Sequence, residues 1–358
     1  MSRDRTRIIA VGGGWVTNNR HLPAVLRSGL FEVLGVVSDS RERAEMTARK
    51  FGLSRFGNAL DFTGWQKEAE AVVIGTTPQS HFDLAAYALQ AGRHVLTEKP
   101  MTVTSEQAQR LCRMAEETGR VLAVVHNFQF SRAAERLKRR LADGRLGAVR
   151  TVYGIQLCNE KRKVPSWCDR LPLGLFYDEA PHFYYLLRWL GGPEIRLRHA
   201  SVLPWDGRQT PRAVSARYCG TTGIPLYLHI NFDCAITEWH LIVITDHATV
   251  DLDIWRDIYT ELPDDGSHLP WQIVRTSLCG ALHHFAGVVT GALRYASGRH
   301  LYGNDQIVRR FCRAIHGEHA LDGMSARDGL AVVELMHELI SSADRDRDCR
   351  ENADPAHQ

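Results

Sequence analysis

The sequence predicts an α/β protein, in which a doubly wound parallel sheet at the N-terminus is followed by an α+β domain with a large, mostly antiparallel open sheet. Apolar strands alternate with helices over the first 127 residues. After residue 190, extended stretches follow one another without long helices between them. The length of 358 residues exceeds what a single hydrophobic core usually supports, so two domains are expected.

The first domain is expected to span residues 1–127. It opens with the strand formers Ile8 to Val11, which run into three glycines. The pattern then predicts strands at 31–37, 71–74, 94–96 and 121–125, and helices at about 18–29, 41–51, 81–90 and 104–118. Near-continuous apolar strands that are separated by helices indicate a parallel sheet covered on both faces.

The second domain is expected to span residues 128–343. Helices are predicted at 131–142, 178–190, 304–316 and 325–342. Stretches rich in β-branched and aromatic residues predict strands at 149–157, 198–204, 213–219, 225–234, 239–245 and 248–254. Successive strands of this kind favour an antiparallel sheet with one open face. The charged, turn-rich residues 344–358 are expected to form a disordered tail.

Composition excludes several classes of protein. Charged residues make up 24% and hydrophobic residues 44% of the chain, which is typical of a globular protein rather than a disordered one. Lys and Arg number 44 against 41 for Asp and Glu, and a net charge of +3 gives no reason to expect a nucleic-acid partner.

The sequence also gives no reason to expect a membrane-spanning segment or a metal site. It contains no stretch of about 20 apolar residues that could cross a bilayer, so no membrane partner is expected. No secretory leader is visible after Met1, which predicts a cytoplasmic location. The eight cysteines form no C-x-x-C pairs, and His283-His284 and His316 with His319 lack convincing partners, so neither a metal site nor a disulfide framework is expected.

The glycine run is the first candidate site. Gly12 and Gly14 occupy the first two positions of a G-x-G-x-x-G pattern where the first strand turns into a helix, and Thr17 stands at the third. Such a turn presents backbone N–H groups and a helix N-terminus to a pyrophosphate, whereas the third glycine serves close packing. The position of this turn at the first strand of a βαβ series favours a Rossmann dinucleotide-binding domain over a purely structural turn.

The end of the second strand predicts which dinucleotide binds. Asp39 lies near the usual distance for a carboxylate that binds the adenosine ribose hydroxyls, which favours NAD. Ser38 and Arg41 could instead hold a 2′-phosphate, so NADP is a second possibility. In the structural alternative, Asp39 only caps the following helix.

Two further segments carry a family resemblance. Glu98 to Pro100 form a Glu-Lys-Pro triplet directly after a predicted strand, at the sheet edge where open α/β proteins bind ligands. With this triplet the chain resembles the family of glucose-fructose oxidoreductase and inositol 2-dehydrogenase (Gfo/Idh/MocA) over most of its length. Similar stretches lie at Thr76-Thr77-Pro78 with His81, at His126 to Phe130, at Asp143 to Gly147 and at Phe311 to Ile315.

The family's second segment, D-x-G-x-H-x-x-D, is matched at Asp178 and His182, but Ala180 and Tyr185 replace the glycine and the last acid. Gln129 stands where the family commonly has Arg. The resemblance implies a Rossmann domain joined to an α/β domain with an open sheet, and a homo-oligomer, dimer or tetramer, formed through that sheet. The cofactor-binding residues are then expected to be Gly12, Gly14, Trp15, Val16, Ser38, Asp39, Arg41, Thr76, Thr77, Pro78, His81, Glu98, Lys99 and Asn127.

The chemistry that fits these residues is oxidation of a secondary alcohol, which needs a base and a cation beside the hydride acceptor. Asp178 and His182 are four residues apart, so on one helix they share a face. Histidine, with an ordinary pKa of about 6.5, suits the base, and Lys99 suits stabilisation of the alkoxide. Glu98 is expected to pair with Lys99 or with the backbone. In the structural alternative, these are a surface lysine, a packed histidine and a helix cap.

A sugar-like or cyclitol substrate is expected, contacted by Lys99, Gln129, Trp167, Asp178 and His182. Trp167 lies in the basic loop 159–170, whose Lys161-Arg162-Lys163 run either binds a phosphate on the substrate or is a solvated loop. Phe176, Tyr177, Tyr184 and Tyr185 could add apolar surface for a ring. Two other functions fit the same residues: redox-neutral epimerisation or glycoside cleavage with tightly bound NAD, and dinucleotide sensing without turnover.

Overall fold

The computed structural model describes residues 5–351, with side chains described up to Ala343. The chain divides into two compact units: residues 1–127 with 303–334, and residues 128–302 with 335 to the end. The helices after residue 303 were expected in the second domain, whereas residues 303–334 group with the first unit. Of the tail that was expected to be disordered at 344–358, residues 344–351 belong to the helix Ala326–Glu351, and residues 352–358 lie outside the described residues.

The first unit is built on a six-stranded parallel sheet with the strand order β3-β2-β1-β4-β5-β6. Its strands are β1 (Thr6–Val11), β2 (Phe31–Val37), β3 (Phe56–Gly57), β4 (Ala71–Ile74), β5 (His94–Thr97) and β6 (Leu122–Val124). The second unit holds β7 (Val149–Asn159), β8 (Arg196–Leu203), β9 (Ala213–Cys219), β10 (Pro225–Cys234), β11 (Glu238–Thr245), β12 (Ala248–Asp253) and β13 (Ile258–Pro263).

The helices, in chain order, are α1 (Leu22–Ser28), α2 (Arg41–Phe51), α3 (Pro78–Gln90), α4 (Ser105–Thr118), α5 (Arg132–Ala142), α6 (Leu175–Glu179), α7 (Pro181–Gly191), α8 (Pro270–Ala296), α9 (Asn304–Ile315) and α10 (Ala326–Glu351). The predicted ends of α2 are confirmed: the Ser40 hydroxyl accepts the N–H of Arg43, and Gly52 ends the helix at φ 67°. Among the described residues, no helix is both long enough and apolar enough to span a membrane.

The central strands of the first unit are buried along their length, as the sequence predicts. Ile8, Ile9 and Ala10 of β1 and all four residues of β4 are buried. These strands therefore need cover on both faces, which helices on either side of a parallel sheet provide. The order of the sheet reverses between β1 and β4, so the loops after these two strands meet at its carboxyl edge, where ligands bind in such folds.

The second unit contains a seven-stranded sheet with the order β13-β12-β11-β7-β10-β9-β8. Only the β7–β10 pair is parallel, which confirms the predicted, mostly antiparallel sheet. Burial alternates along β7: Val152, Gly154 and Gln156 are buried, and the residues between them are half-buried. On the buried face a Cβ at Gly154 would come within 2.8 Å of Phe183, so α7 packs closely on the strand. The other face is open.

Three features of the second unit were missed or misjudged. Strand β13 and the 27-residue helix α8 were not predicted. The half-buried face of α8 is polar or small and its large apolar residues are exposed, which is the reverse of the pattern by which apolar periodicity predicts a helix. The single helix predicted at 178–190 is two helices, because Pro181 begins a new one directly after Ala180.

Candidate dinucleotide and substrate sites

The turn after β1 has the geometry expected of a phosphate-binding loop. Gly12 adopts φ +101°, and its N–H donates to the carbonyl of Val37 at 2.7 Å. The Asn18 amide donates to the carbonyls of Gly13 and Gly14 at 3.1 and 3.0 Å. A helical turn begins at once, because the carbonyl of Gly14 accepts the N–H of Asn18. The first N–H groups of such a turn have no acceptor inside the helix.

This loop leaves room for a ligand at one glycine only. A Cβ at Gly12 would lie 2.6 Å from the carbonyl oxygen of Gly75, whereas a Cβ at Gly14 would have nothing within 4 Å. Gly12 therefore allows the backbone to pack closely against the loop after β4, whereas Gly14 faces open space. The residues present fit a dinucleotide, whose pyrophosphate would lie at Gly14 and the adjoining N–H groups.

The missing third glycine has a structural explanation. Thr17 is buried, and its hydroxyl donates to the carbonyl of Gly75 at 3.4 Å. A Cβ at Gly75 would lie 2.5 Å from that hydroxyl oxygen. The third glycine of the motif normally permits close packing between the helix and the sheet. Here Gly75, on the loop after β4, leaves the space that the Thr17 side chain needs. Gly75 was not predicted from the sequence as a site residue, although it directly precedes the Thr76-Thr77-Pro78 segment.

Asp39 lies where the sequence predicts a ribose-binding carboxylate. Its side chain is 84% exposed and accepts hydrogen bonds from the Ser38 hydroxyl, the Ser40 N–H and the Arg43 guanidinium. Arg43, at 2.9 Å, is therefore the cation next to Asp39. Arg41, which the sequence offered with Ser38 as a possible partner of a 2′-phosphate, lies instead over the Phe56 ring at 5.2 Å. The helix cap is Ser40, so the alternative that Asp39 merely caps α2 is wrong.

A buried polar cluster ties together the loops after β4 and β5. Both ring nitrogens of His81 face carbonyl oxygens, that of Pro100 at 2.8 Å and that of Thr76 at 3.2 Å. Burial lowers the pKa of His81 and outweighs the raising effects of these carbonyls and of Glu98. The Thr76 hydroxyl accepts from Ser80, and Thr77 and Pro78 begin α3. His81 therefore holds the two loops in register.

Glu98 is buried beside His21, with its carboxylate oxygen 3.1 Å from the His21 Nε2 atom. Its second oxygen accepts the backbone N–H of Lys99 at 3.1 Å. Burial raises the pKa of Glu98, but the contact with His21 and the charges of Lys99 and His81 outweigh it and leave the pKa below its ordinary value. The expected pairing of Glu98 with the backbone of Lys99 is present, and its partner His21 was missed.

In the second unit, His182 lies at the start of α7, with 9% of its surface exposed. Its Nδ1 atom lies 2.8 Å from the hydroxyl of Tyr185, which also accepts the N–H of Phe128 at 3.1 Å. The rings of Phe128 and Trp239 contact the imidazole edge-on and tilted, at 4.6 and 5.6 Å between centroids. The residue that replaces the family's last acid thus supports the histidine.

The other candidate substrate residues divide into core and surface. Asp178 lies half-buried on α6, close to the N-terminus of α7, and Gln129 is buried. Trp167 is half-buried in the short turn Ser166–Arg170. The aromatic surface proposed for a sugar ring is largely absent, because Phe176, Tyr177, Tyr184 and Tyr185 are all core residues.

The basic loop lines a cavity of about 450 Å³ in the second unit. Arg162 of this loop turns inward and forms an ion pair with buried Glu179 at 2.6 Å. That pair raises the pKa of Arg162 against the lowering effect of burial. The Lys161-Arg162-Lys163 run therefore does not present three equal cations. The cavity is lined by Cys158, Asn159, Glu160, Arg162, Val164, Asp169, Leu175, Trp205, Gly207, Arg208, Gln209, Thr210 and Phe232.

Comparison with known proteins decides the family. Residues 6–126 match a model described as "Oxidoreductase family, NAD-binding Rossmann fold" (GFO_IDH_MocA). A 1,5-anhydro-D-fructose reductase of Ensifer adhaerens is 30% identical over 242 residues, which are 65% of this chain and 70% of that protein. The chain belongs to the Gfo/Idh/MocA oxidoreductase family. The resemblance seen in the sequence and the predicted NAD-binding fold are thereby confirmed.

Other relatives match over shorter segments. A 1-carboxy-3-chloro-3,4-dihydroxycyclohexa-1,5-diene dehydrogenase of Comamonas testosteroni is 31% identical over 46% of this chain and 44% of its own length. An NADP-dependent scyllo-inositol 2-dehydrogenase of Bacillus subtilis is 28% identical over 44% of this chain and 46% of its own length. The chain thus spans about half the length of most curated relatives that it matches.

Solved structures share the whole fold at low identity. A levoglucosan dehydrogenase in complex with NADH superposes with a TM-score of 0.74 at 17% identity, over 96% of this chain and 98% of that one. GenD2 from gentamicin A biosynthesis, in complex with NAD, gives 0.73 at 21% identity over 96% and 95%. Both units therefore have the architecture of this family, as predicted.

Proposed function

We propose that the chain is an NAD(P)-dependent dehydrogenase that oxidises one secondary alcohol of a sugar, sugar derivative or cyclitol. The observation that carries the proposal is the glycine turn, where Gly14 faces open space at the start of a helical turn. The substrate class is supported by relatives whose names include an anhydrofructose reductase and scyllo-inositol dehydrogenases.

When bound, the nicotinamide accepts the hydride that leaves the carbinol carbon. In the proposed mechanism, His182 takes the hydroxyl proton and Lys99 donates a hydrogen bond to the same oxygen as its negative charge develops. For Nε2 of His182 to offer its lone pair, Nδ1 must carry the ring proton toward the Tyr185 oxygen 2.8 Å away. Tyr185 is thus a positioning residue that selects the tautomer, and Asp178 orients the substrate hydroxyls.

Asp39 favours NAD over NADP in this proposal, because its exposed carboxylate repels a 2′-phosphate. A homo-oligomer formed through the open face of the β7–β13 sheet is part of the same proposal. The half-buried side chains of this face include Tyr153 and Tyr227, whose rings stack with centroids 4.8 Å apart. Light scattering of the purified protein measures the oligomeric state.

The test is a spectrophotometric screen of sugars, sugar phosphates, nucleotide sugars and cyclitols with NAD and NADP, after native mass measurement of any copurified dinucleotide. We expect reduced nicotinamide to accumulate with at least one substrate. Lys99→Ala and His182→Ala should each lower kcat by at least about a hundredfold with the Kd for NADH nearly unchanged. Product formation without net NADH release would indicate redox-neutral use of the cofactor. Binding of NADH with no turnover of any substrate would indicate a sensor.

A further inference from the structure

The large apolar side chains of helix α8 face away from the sheet that the helix packs on. Its half-buried positions recur at helical spacing and are polar or small: Gln272, Thr276, Cys279, Gly280, His283, Gly287, Gly291 and Arg294. The opposite side bears seven large apolar or aromatic residues, each between 57% and 79% exposed: Trp271, Val274, Leu278, Leu282, Phe285, Leu293 and Tyr295. Amphipathic helices of globular proteins normally show the reverse arrangement.

The small face of α8 is fitted to the edge strand β13, which fixes the orientation of the helix. A Cβ at Gly287 would lie 2.5 Å from Ile258, and a Cβ at Gly280 would lie 2.9 Å from Leu262. His283 Nδ1 lies 3.2 Å from the carbonyl oxygen of Glu261. Because larger side chains at these glycines would clash with the strand, the close approach of α8 to β13 depends on this small face.

The exposed apolar stripe of α8 is larger than the apolar patches found on most monomeric proteins. Its seven side chains expose on the order of 700 Å² of mostly apolar surface, whereas the largest apolar patch on a typical monomer is roughly 300–600 Å². At 27 residues the helix is about 40 Å long. A surface of this length and width indicates that something covers it.

The charges around the stripe indicate what covers it. From Leu269 to His300 the chain has three arginines and no Asp or Glu. Beside α8 lies α5, whose Arg136 stacks over the Tyr259 ring at 4.3 Å, while His283 of α8 contacts the same ring at 6.4 Å. Arg132 and Arg139, one helical turn on either side of Arg136, are also exposed. Arg136 of α5 and His283 of α8 thus contact the same ring of β13, which places the exposed arginines of α5 beside α8.

We propose that α8, with the adjoining ridge of Arg132, Arg136 and Arg139, is a docking surface for a lipid bilayer that contains anionic headgroups. The apolar stripe would enter the boundary between headgroups and acyl chains, and the arginines would contact lipid phosphates, as in interfacial helices. Trp271 and Tyr295 near the two helix ends are the residue types enriched at this depth. In this proposal the helix lies on the membrane and does not cross it, in contrast to the sequence-based expectation of no membrane partner.

A second copy of the chain explains the surface less well. Two such helices packed against each other would bring together segments that carry only positive charge. The apolar arc is also wider than the seam that one partner helix covers, because Leu282 and Leu293 lie to one side of Phe285 while Val288 and Tyr295 lie to the other. A bilayer covers the whole arc and offers opposite charge.

The experiment is vesicle flotation of the full chain, with phosphatidylcholine alone and with an equal mixture of phosphatidylcholine and phosphatidylglycerol. We expect the protein to float with the mixed vesicles at low salt, and less of it to float as salt screens the arginines. The double variant Leu282→Glu/Phe285→Glu should reduce the bound-to-free ratio at least about tenfold. Arg132→Gln/Arg139→Gln should reduce binding to the mixed vesicles only.

The matched control is Leu203→Glu/Ile236→Glu, which places the same charges at two exposed apolar positions outside α8, 51% and 52% exposed in the native chain. Its flotation should equal that of the native protein. Circular dichroism and NADH binding check that each variant is folded. The proposal is overturned if the native chain stays off both kinds of vesicle, or if the α8 variant floats as well as the control. A native mass that halves in the α8 variant, without flotation, would assign the surface to a second copy and would also overturn it.

Discussion

Two glycines of the same turn are expected to respond in opposite ways to replacement by alanine. Gly12→Ala puts an L-residue at φ +101° and a methyl group 2.6 Å from the carbonyl oxygen of Gly75. The first effect costs roughly 1–2 kcal/mol and the steric overlap about 1–3 kcal/mol, so the free energy of unfolding should fall by about 2–5 kcal/mol. Gly14→Ala meets nothing within 4 Å, so stability should change by less than about 0.5 kcal/mol.

Gly14→Ala, which leaves stability nearly unchanged, should nevertheless weaken cofactor binding. Because the methyl group of Gly14→Ala occupies the space assigned to the pyrophosphate, the Kd for NADH should rise at least about tenfold, or about 1.4 kcal/mol. Urea unfolding monitored by circular dichroism gives the stability, and titration of NADH fluorescence gives the Kd. Native NADH affinity in Gly14→Ala, or native stability in Gly12→Ala, would refute the assignment of this turn.

Three other substitutions test single contacts. Asp39→Ser removes the carboxylate that repels a 2′-phosphate and releases Arg43, so the ratio of kcat/KM for NADP over NAD should rise at least about tenfold; an unchanged ratio would remove Asp39 from the ribose site. Tyr185→Phe removes the hydroxyl beside His182 Nδ1 and should lower kcat about tenfold and change its pH profile, with the Kd for NADH unchanged; a native pH profile would contradict the positioning role. Glu98, whose pKa lies below its ordinary value of 4.5, stabilises the fold above that pH, and this contribution is lost as pH falls through the lowered value. Urea midpoints of the native chain should therefore drop more steeply below about pH 4.5 than those of Glu98→Gln, and parallel curves would show that the pair with His21 contributes nothing.

The first unit could be predicted closely from the sequence, because its signals are local. Strands such as β1 and β4 are continuous apolar runs, and Gly52 marks a helix end through backbone geometry that depends on few neighbours. The glycine turn followed from the same local logic. The two-residue strand β3 was missed, and the compensation of Thr17 by Gly75 could not be predicted, since these two residues meet only through the parallel pairing of β1 with β4.

The second unit was harder to predict because its key contacts are long-range. The Tyr185 hydroxyl that contacts His182 also accepts the N–H of Phe128, 57 residues away. The ion pair of Arg162 with Glu179 removes a cation that looked available in the loop. Helix α8 was missed because its apolar residues face away from the sheet, so the usual rule that periodic apolar residues mark a buried face gave no prediction.

The central claim is that Lys99 and His182 act on the same carbinol oxygen, and a double-mutant cycle on kcat measures this most directly. Each single alanine variant should lose at least about a hundredfold, and the double variant should be nearly as active as the slower single variant, because groups that act on one proton transfer are strongly non-additive. A double variant whose loss equals the product of the two single losses would show that the two side chains act independently, and would contradict the mechanism.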